Sequence, residues 1–231
     1  MIAALVPAKA LDQAKGRLAA ILGEDQRRQL ALAMLEDVVR ALQAVAAIDS
    51  VAVVSPDADI LALASDLGAA TIEEPANVRG INQALTYALG VMSPQPEALV
   101  VVLADVPEIE PADVASALEQ LSERGLVICP SHDKGTGMLA MRPAGVIPFR
   151  FGPQSFSLHK REAAAQGLRA EVVRAESLAR DIDSPDDLRA LLGRPGDTAT
   201  HRLLARLDIV VRLSAAADAQ DERPDPTGWR T

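Results

Sequence analysis

The sequence predicts a single α/β domain with an open, mainly parallel, mixed central sheet flanked by helices. Short apolar runs alternate with longer segments in which apolar residues recur every three or four positions, the pattern of successive βα units. Residues 99–103 are all apolar, as expected for a central strand covered on both faces. Hydrophobic residues make up 49% of the chain but aromatic residues only 2%, so the core must be aliphatic.

The same patterns place each element along the chain. Strands are predicted at residues 2–6, 51–54, 70–72, 99–103, 126–129, 138–141, 149–151 and 171–173. Helices are predicted at residues 24–46, 57–67, 80–91, 111–124, 155–166 and 184–192, with a further helix at 201–213. In the first helix Leu30, Met34, Val38 and Leu42 form an apolar face that should pack on the sheet. Residues 1–192 are therefore expected to form the domain.

Residues 193–231 are expected to be a C-terminal extension that is partly helical and ends in an acidic, mobile stretch at 218–231. The helix predicted at 184–192 has a strong start signal, with Ser184 as the cap, Pro185 at the first helical position and Asp187 three residues after the cap. The domain should therefore end with a well-defined helix.

Charge and composition exclude several classes of function. The formal net charge of −9 argues against a broad surface for nucleic acid or for an anionic membrane. No apolar stretch approaches the roughly 20 residues that span a bilayer, and no basic leader is present, so a cytoplasmic location is expected.

Cys129 lies inside an apolar run and should be a buried strand thiol. His132 and His159 have no second His or Cys at zinc-binding spacing.

A basic loop follows the first predicted strand, and it carries Lys9, Lys15 and Arg17. Ligands of open α/β sheets bind beyond the carboxyl ends of the strands, which is where this loop should lie. Its cations could neutralise a triphosphate, with Arg17 as a two-pronged donor and the lysines as mobile point charges. The alternative is an ordinary solvated loop, because the chain lacks a glycine-rich phosphate-binding motif there.

Three aspartates are candidates for binding Mg²⁺, which prefers oxygen ligands and is often held by one or two carboxylates together with substrate phosphates. Asp105 follows the apolar central strand, at the carboxyl edge of the sheet. Asp181 and Asp183 are two residues apart, so in an extended segment they project to one face. Helix or loop capping is the alternative for each, but the cap at Ser184 leaves Asp181 and Asp183 unexplained.

Two glycine-containing segments and one helix start could contact ligands. Thr136 lies between Gly135 and Gly137, and Ser155 begins a predicted helix where free backbone donors form an anion site. Gly80 and Asn82 open another helix and could contact a base or ribose. Simple turns and helix caps would explain each segment alone, and capping is equally plausible for Gly80 and Asn82, but the joint appearance of the two glycine-containing segments favours a ligand site.

The order and combination of these motifs resemble the 2-phospho-L-lactate or phosphoenolpyruvate guanylyltransferases of coenzyme F(420) biosynthesis. The resemblance rests on residues 6–9, 14–18, 33–38, 80–85, 104–107, 135–137, 151–156 with His159, and 181–185. It covers the chain from Met1 to about Leu192 and implies a nucleotidyltransferase fold of the glycosyltransferase-A type. It also implies GTP as donor and a product in which a diphosphate links guanosine to the acid.

The resemblance assigns roles to particular residues. It implies that Asp105, Asp181 and Asp183 bind Mg²⁺ and that Thr136, Gly152 and Ser155 hold the phosphorylated acid. With the basic loop, we expect Lys15, Arg17 and Asp105 to act in catalysis. The residues expected to bind the nucleotide are Pro7, Lys9, Lys15, Gly80 and Asn82.

The expected reaction needs no protein nucleophile, because a phosphate oxygen of the acid attacks the α-phosphorus of GTP and expels pyrophosphate. Metal bridging, cationic clamping and positioning should lower the barrier. Two rivals stay open: a molybdopterin or sugar-phosphate nucleotidyltransferase, and a non-catalytic nucleotide-binding regulator. The sequence does not choose among 2-phospho-L-lactate, phosphoenolpyruvate and 3-phosphoglycerate, nor prove guanine over other bases. A homodimer is the working expectation.

Overall fold

The computed structural model describes residues 1–13, 15–209 and 213. Its strands are Ile2–Pro7 (β1), Ser50–Ser55 (β2), Ala70–Glu73 (β3), Ala98–Val102 (β4), Gly125–Pro130 (β5), Thr136–Arg142 (β6) and Arg169–Val172 (β7). Its α-helices are Glu24–Gln43 (α1), Ala58–Asp66 (α2), Ile81–Val91 (α3), Pro111–Glu119 (α4), Ser155–Ala165 (α5), Pro185–Leu192 (α6) and Ala199–Arg206 (α7). Short 3₁₀ helices cover Leu11–Gln13, Gly16–Leu18 and Glu176–Leu178.

The strands form one seven-stranded sheet in the order β3-β2-β1-β4-β6-β5-β7. All neighbouring pairs are parallel except those made by β6, which runs antiparallel to both β4 and β5. The predicted mixed, mainly parallel sheet is therefore confirmed. After β1 the chain adds β2 and β3 on one side, whereas β4 pairs on the other. Such a change of direction opens a crevice at the carboxyl ends of the strands, where ligands of open α/β sheets bind.

Helices cover both faces of the sheet, which explains the uninterrupted apolar strands. On one face, Val100 of β4 packs in a cluster with residues of α1, α2 and α4, including Val38 and Val114. On the other face, Leu99 and Val101 pack with residues of α3 and α5. All five residues of β4 are fully buried, because alternate side chains enter opposite layers of the core.

One predicted strand is wrong, and several boundaries shift. Residues 149–151 form no strand, although Phe149 and Phe151 are buried. The backbone N–H of Phe151 donates to Asn82 Oδ1, and the Phe151 carbonyl accepts from Asn82 Nδ2, so a side chain replaces a neighbouring strand. The helices predicted to end at residues 46 and 124 end at Gln43 and Glu119. The thiol of Cys129 is buried as predicted, and burial raises its pKa to about 12.

The extension after residue 192 packs against the domain as far as it is described. Helix α7 lies against α1, and both carboxylate oxygens of Asp37 accept hydrogen bonds from its first turn, from Ala199 N–H at 2.7 Å and Thr200 N–H at 2.9 Å. A third apolar cluster joins α1, α6 and α7. Residues 210–212 and 214–231, including the end predicted to be mobile, lie outside the described residues. No helix in the described part combines the length and apolar character needed to cross a membrane.

Candidate active site

Three carboxylates meet at the carboxyl edge of the sheet. Asp105 follows β4, and Asp181 and Asp183 lie in the extended segment that precedes α6. One oxygen from each carboxylate lies within 4.8 Å of the other two. The two segments are joined by a backbone hydrogen bond of 3.0 Å, donated by Ile182 N–H to the Asp105 carbonyl. The structure therefore brings together the three aspartates that the sequence predicts as metal ligands.

Lys15 of the basic loop reaches into this cluster. Its Nζ donates to Asp105 Oδ2 at 2.9 Å and to Asp183 Oδ1 at 2.7 Å, and its side chain is only 8% exposed. Burial disfavours the charged ammonium, but attraction to Asp105 and Asp183 and the two hydrogen bonds outweigh burial and raise the Lys15 pKa. Burial also disfavours ionised Asp183, but Lys15 and the more distant Arg17 and Lys9 lower its pKa overall.

The third carboxylate, that of Asp181, makes no hydrogen bond with Lys15. Burial, and then repulsion from Asp105, raise the pKa of Asp181 to about 6. Among the described residues, the buried Asp105 Oδ1 has no hydrogen-bond partner. Lys15 supplies one positive charge to three carboxylates, so a cluster with oxygen ligands on three side chains and one buried oxygen unpaired fits a hard divalent cation. The structure therefore contains an acidic cluster that could hold a divalent metal.

A glycine in β6 lets the segment that leads to Asp181 approach this edge. A Cβ atom on Gly137 would lie closer than 3.0 Å to the carbonyl oxygen of Leu178, which is a backbone atom that no rotamer change can move. The segment is also held by a 3.0 Å hydrogen bond from His132 N–H to the Ala179 carbonyl. Gly137 therefore has a packing role, by leaving space for the chain that delivers two of the three carboxylates.

A cavity of about 830 Å³ opens beside the acidic cluster. It extends from Asp105 and Asp183 across the basic loop to the residues that follow β2 and β3. The predicted site residues that line it are Pro7, Lys9, Lys15, Arg17, Gly80, Asp105 and Asp183. Asp181, Asn82, Thr136, Gly152 and Ser155 are not among its lining residues. The cavity thus combines the predicted phosphate-binding loop with two of the three carboxylates.

Asn82 has a structural use in this arrangement. Both polar atoms of its amide bond the backbone of Phe151, at 2.7 and 2.9 Å, and so tie α3 to the loop before α5. Each polar atom of the amide can still make one more hydrogen bond, so these contacts position Asn82 without deciding whether it touches a nucleotide. Its predicted role in nucleotide binding stays a prediction.

The predicted acid-binding residues lie near the start of β6. Thr136 Oγ1 is 3.1 Å from Ser155 Oγ, and both side chains are buried. Gly152 is exposed, with φ of +123°, a conformation that suits glycine and lets its carbonyl accept from Ser155 N–H. Because Val102 of β4 pairs with Met138, Thr136 lies further along β6 towards the edge that carries Asp105.

A buried histidine completes this group. His159 Nε2 accepts from Arg150 N–H at 3.0 Å, so the proton of the neutral ring lies on Nδ1, which then donates to Thr136 Oγ1 at 3.1 Å. Burial lowers the pKa of His159 to about 4, an effect that Glu162 opposes and Arg150 reinforces. In the sequence, His159 stands out only as part of the motif at 151–159. Its contact with Thr136 is not visible there, because the two residues lie 23 positions apart.

Two cavity residues were missed from the sequence, Glu74 and Arg79. Glu74 directly follows β3, so the rule that picked out Asp105 at the end of β4 could also have picked it out. The sequence does not single out Glu74, because β3 itself contains Thr71 and Glu73 and so lacks the uniformly apolar run that marks β4.

Comparison with known proteins identifies the family. A family model described as "Guanylyl transferase CofC like" matches residues 2–223. The chain belongs to this guanylyl transferase family. Membership confirms the predicted resemblance and the predicted class of enzyme, a nucleotidyltransferase. The matched region also extends beyond Leu192, the limit of the motifs recognised in the sequence.

Individual relatives of this CofC-like chain have different named acceptors. It is 38% identical over 192 residues to a phosphoenolpyruvate guanylyltransferase of Sphaerobacter thermophilus, covering 82% of this chain and 92% of the relative. It is 32% identical over 223 residues to a 2-phospho-L-lactate guanylyltransferase of Methanothermobacter thermautotrophicus, covering 96% and 98%. It is 39% identical over 201 residues to a 3-phospho-D-glycerate guanylyltransferase of Phenylobacterium zucineum, covering 84% and 91%.

Solved structures support the nucleotidyltransferase fold of this family member. A protein of Desulfovibrio desulfuricans assigned as a nucleotide-diphospho-sugar transferase aligns with a TM-score of 0.75 at 18% identity, covering 93% of this chain and 97% of that one. The 4-diphosphocytidyl-2C-methyl-D-erythritol synthase of Anaerococcus prevotii aligns with a TM-score of 0.59 at 14% identity, covering 84% and 96%. At these identities the likeness concerns the fold alone, and it confirms the predicted fold class.

Proposed function

We propose that this chain transfers GMP from GTP to a small phosphorylated three-carbon acid and releases pyrophosphate, as a step of coenzyme F(420) biosynthesis. The observation that carries the proposal is the meeting of Asp105, Asp181 and Asp183 beside a cavity whose other wall is the basic loop. Acidic side chains on one side and cations on the other suit a metal-bound polyphosphate. Family membership supports a guanylyl group as the part transferred.

In the proposed reaction, an oxygen of the acceptor's phosphate attacks the α-phosphorus of GTP. A new P–O bond forms there, and the bond to the β-phosphate oxygen breaks. Mg²⁺ held by Asp105, Asp181 and Asp183 would neutralise phosphate oxygens and orient them for this displacement. Lys9, Lys15 and Arg17 supply positive charge from the loop, and the Lys15 ammonium, which bonds Asp105 and Asp183, would be free to bind a phosphate oxygen if a metal ion neutralised those carboxylates.

The acceptor is proposed to bind at Thr136, Gly152 and Ser155. Thr136 accepts from His159, so the proton of the Thr136 hydroxyl is available to donate to an acid oxygen. The amide groups at the start of α5 favour an anion at the same place. Because Thr136 and Ser155 are buried, the loop at 152–154 must shift to admit the acceptor. The named relatives include enzymes for three acids, so we propose this class without choosing one of them.

Purified protein should be incubated with GTP, Mg²⁺ and each of the three acids, with sugar phosphates as competing acceptors. We expect pyrophosphate and a guanosine diphosphate-linked acid of the matching mass. Asp105→Asn should lower kcat/KM at least 100-fold, which corresponds to about 2.7 kcal/mol of barrier. Asp66→Asn, which makes the same change at an exposed position on α2, is the matched control.

Two results would contradict the proposal in different ways. Absence of pyrophosphate with all three acids would refute the function. Near-normal turnover by Asp105→Asn would leave the function standing but refute the metal assignment. The homodimer, the cytoplasmic location and the division of the chain at residue 192 stay predictions from the sequence.

A further inference from the structure

Glu74 stands apart from the other carboxylates of the cavity. Among the described lining residues, Asp105 and Asp183 belong to the acidic cluster, and Glu74 is the remaining acidic side chain. Its backbone is fixed by a 3.0 Å hydrogen bond from Glu74 N–H to the Ser55 carbonyl at the end of β2. Its half-buried carboxylate makes no hydrogen bond or ion pair within the part of the chain that is described. The carboxylate is therefore free to accept hydrogen bonds from a ligand.

Glu74 lies where the base of a bound nucleotide would be placed. In the sheet order β3-β2-β1-β4, three strand spacings separate β3 from β4, which is about 14 Å. Asp105 follows β4, the basic loop follows β1, and Glu74 follows β3 on the same edge. A nucleotide whose phosphates lie at the acidic cluster and the loop therefore extends its base towards Glu74.

The cavity wall around Glu74 suits a planar base. Apolar side chains line it there, from Val54 near the end of β2, Pro56 just after it, and Pro75 and Val78 after β3. Burial raises the pKa of Glu74, against the attraction of Arg79, as expected for a carboxylate partly withdrawn from water. A polar group in a mainly apolar wall strongly affects which ligand binds, because an unsuitable ligand leaves that group unpaired.

We infer that Glu74 selects guanine, by accepting one hydrogen bond from the ring N1–H and one from the 2-amino group. This inference rests on the proposed function and adds the residue that chooses the base. A carboxylate offers two acceptor oxygens and no donor. Guanine presents two adjacent donors on that edge, whereas adenine presents an acceptor at N1 and hypoxanthine lacks the amino group. Glu74 thus pairs fully with guanine alone among these three bases.

The test compares kcat/KM for GTP, ITP and XTP at a saturating concentration of the acid. The native protein should prefer GTP to ITP by roughly 10- to 100-fold, the effect of one hydrogen bond to a charged group. In Glu74→Gln the amide offers one acceptor and one donor, which matches the N1–H and 2-oxo groups of xanthine. Its preference should therefore move from GTP towards XTP. In Glu74→Ala the preference for GTP over ITP should fall to within a few-fold.

Glu73→Gln is the matched control, since it removes the same charge from the adjacent, exposed residue, which does not line the cavity. It should keep the native preference. An unchanged ratio of GTP to XTP in Glu74→Gln, together with unchanged discrimination in Glu74→Ala, would overturn the inference and leave the proposed function intact.

The inference can also be decided if the proposed reaction fails. If the native protein transfers no nucleotide, equilibrium binding of GDP, IDP and XDP to the same variants reports base selection without turnover. Loss of the preference for GDP in Glu74→Ala would then support the inference, and equal binding of GDP by the native protein and both variants would overturn it. Thermal unfolding of each variant shows whether it is folded.

Discussion

Acid should destabilise this protein through one buried histidine. His159 is fully buried, and its two ring nitrogens bond Thr136 and the Arg150 backbone. Protonation of Nε2 would remove the acceptor that Arg150 N–H uses and place a charge in the core. In the unfolded chain the ring is in water and binds its proton near pH 6.5. Between pH 6.5 and about 4, the unfolded state therefore binds more protons than the folded state.

The sign and size of the effect follow from this difference. Because the pKa of His159 is lower in the folded state, the free energy of unfolding is unaffected above about pH 7 and falls as the pH falls towards 4. A pKa lowered from 6.5 to about 4 corresponds to a loss of about 3 kcal/mol. Asp181 acts in the opposite direction, since its pKa is raised to about 6 and its protonation favours the folded state. That contribution is common to the native protein and its His159 variant.

Urea unfolding of the native protein and of His159→Gln, from pH 7.5 to pH 4, measures the effect. Glutamine can still accept from Arg150 N–H and donate to Thr136, but it does not titrate. The variant is expected to be less stable at pH 7.5, and the difference between the two proteins should shrink by about 3 kcal/mol at pH 4. His132→Gln, which makes the same change at a largely exposed histidine, is the matched control. Parallel curves for the native protein and His159→Gln would refute this account of the buried ring.

Two further predictions concern the segments that meet at the acidic cluster. Gly137→Ala should destabilise the protein by about 3 kcal/mol, at the upper end of the range for overpacking, because the added methyl group meets a backbone carbonyl. Chemical denaturation measures this loss of stability. Gly90→Ala is the control and should not lose this stability, because a Cβ at Gly90 meets nothing within 4 Å. In EDTA, Lys15→Met should lower the free energy of unfolding by about 2 kcal/mol. This loss is smaller than that for removing one partner of a fully buried ion pair, because Asp183 is 43% exposed. Added Mg²⁺ should restore the stability of the variant. Isothermal titration should also show that Lys15→Met binds Mn²⁺ more tightly than the native protein in the absence of nucleotide, and equal affinity would show that Lys15 does not compete with the metal.

The elements that position the site were predictable because their signals are local. Five apolar residues in succession mark β4 as a central strand, and the residue that follows it must lie at the carboxyl edge of the sheet. The pairing of Asp181 with Asp183 follows from the alternation of an extended chain. These arguments use only neighbouring residues, and the structure places all three aspartates together.

The features that the sequence did not reveal depend on contacts between distant segments. Lys15 bonds partners 90 and 168 positions away, so the basic loop gave no sign that its lysine would lie between two aspartates. The segment with the buried Phe149 and Phe151 has the composition of a strand, but the Phe151 backbone bonds the amide of Asn82 instead of a neighbouring strand. The link from His159 to Thr136 likewise appears only when α5 packs against the sheet, where it contacts β5 and β7.

The third apolar cluster has a mechanical consequence for the chemistry. It contains Leu18 from the end of the basic loop, Ile182 between two of the aspartates, and Leu203 from α7. The basic loop and the segment that carries Asp181 and Asp183 therefore pack against the same apolar cluster. Helix α7 contributes to this cluster but supplies no residue that lines the cavity. We therefore expect that changing the volume of a buried α7 side chain such as Leu203 alters the spacing between Lys15 and the carboxylates, although α7 does not touch the cavity.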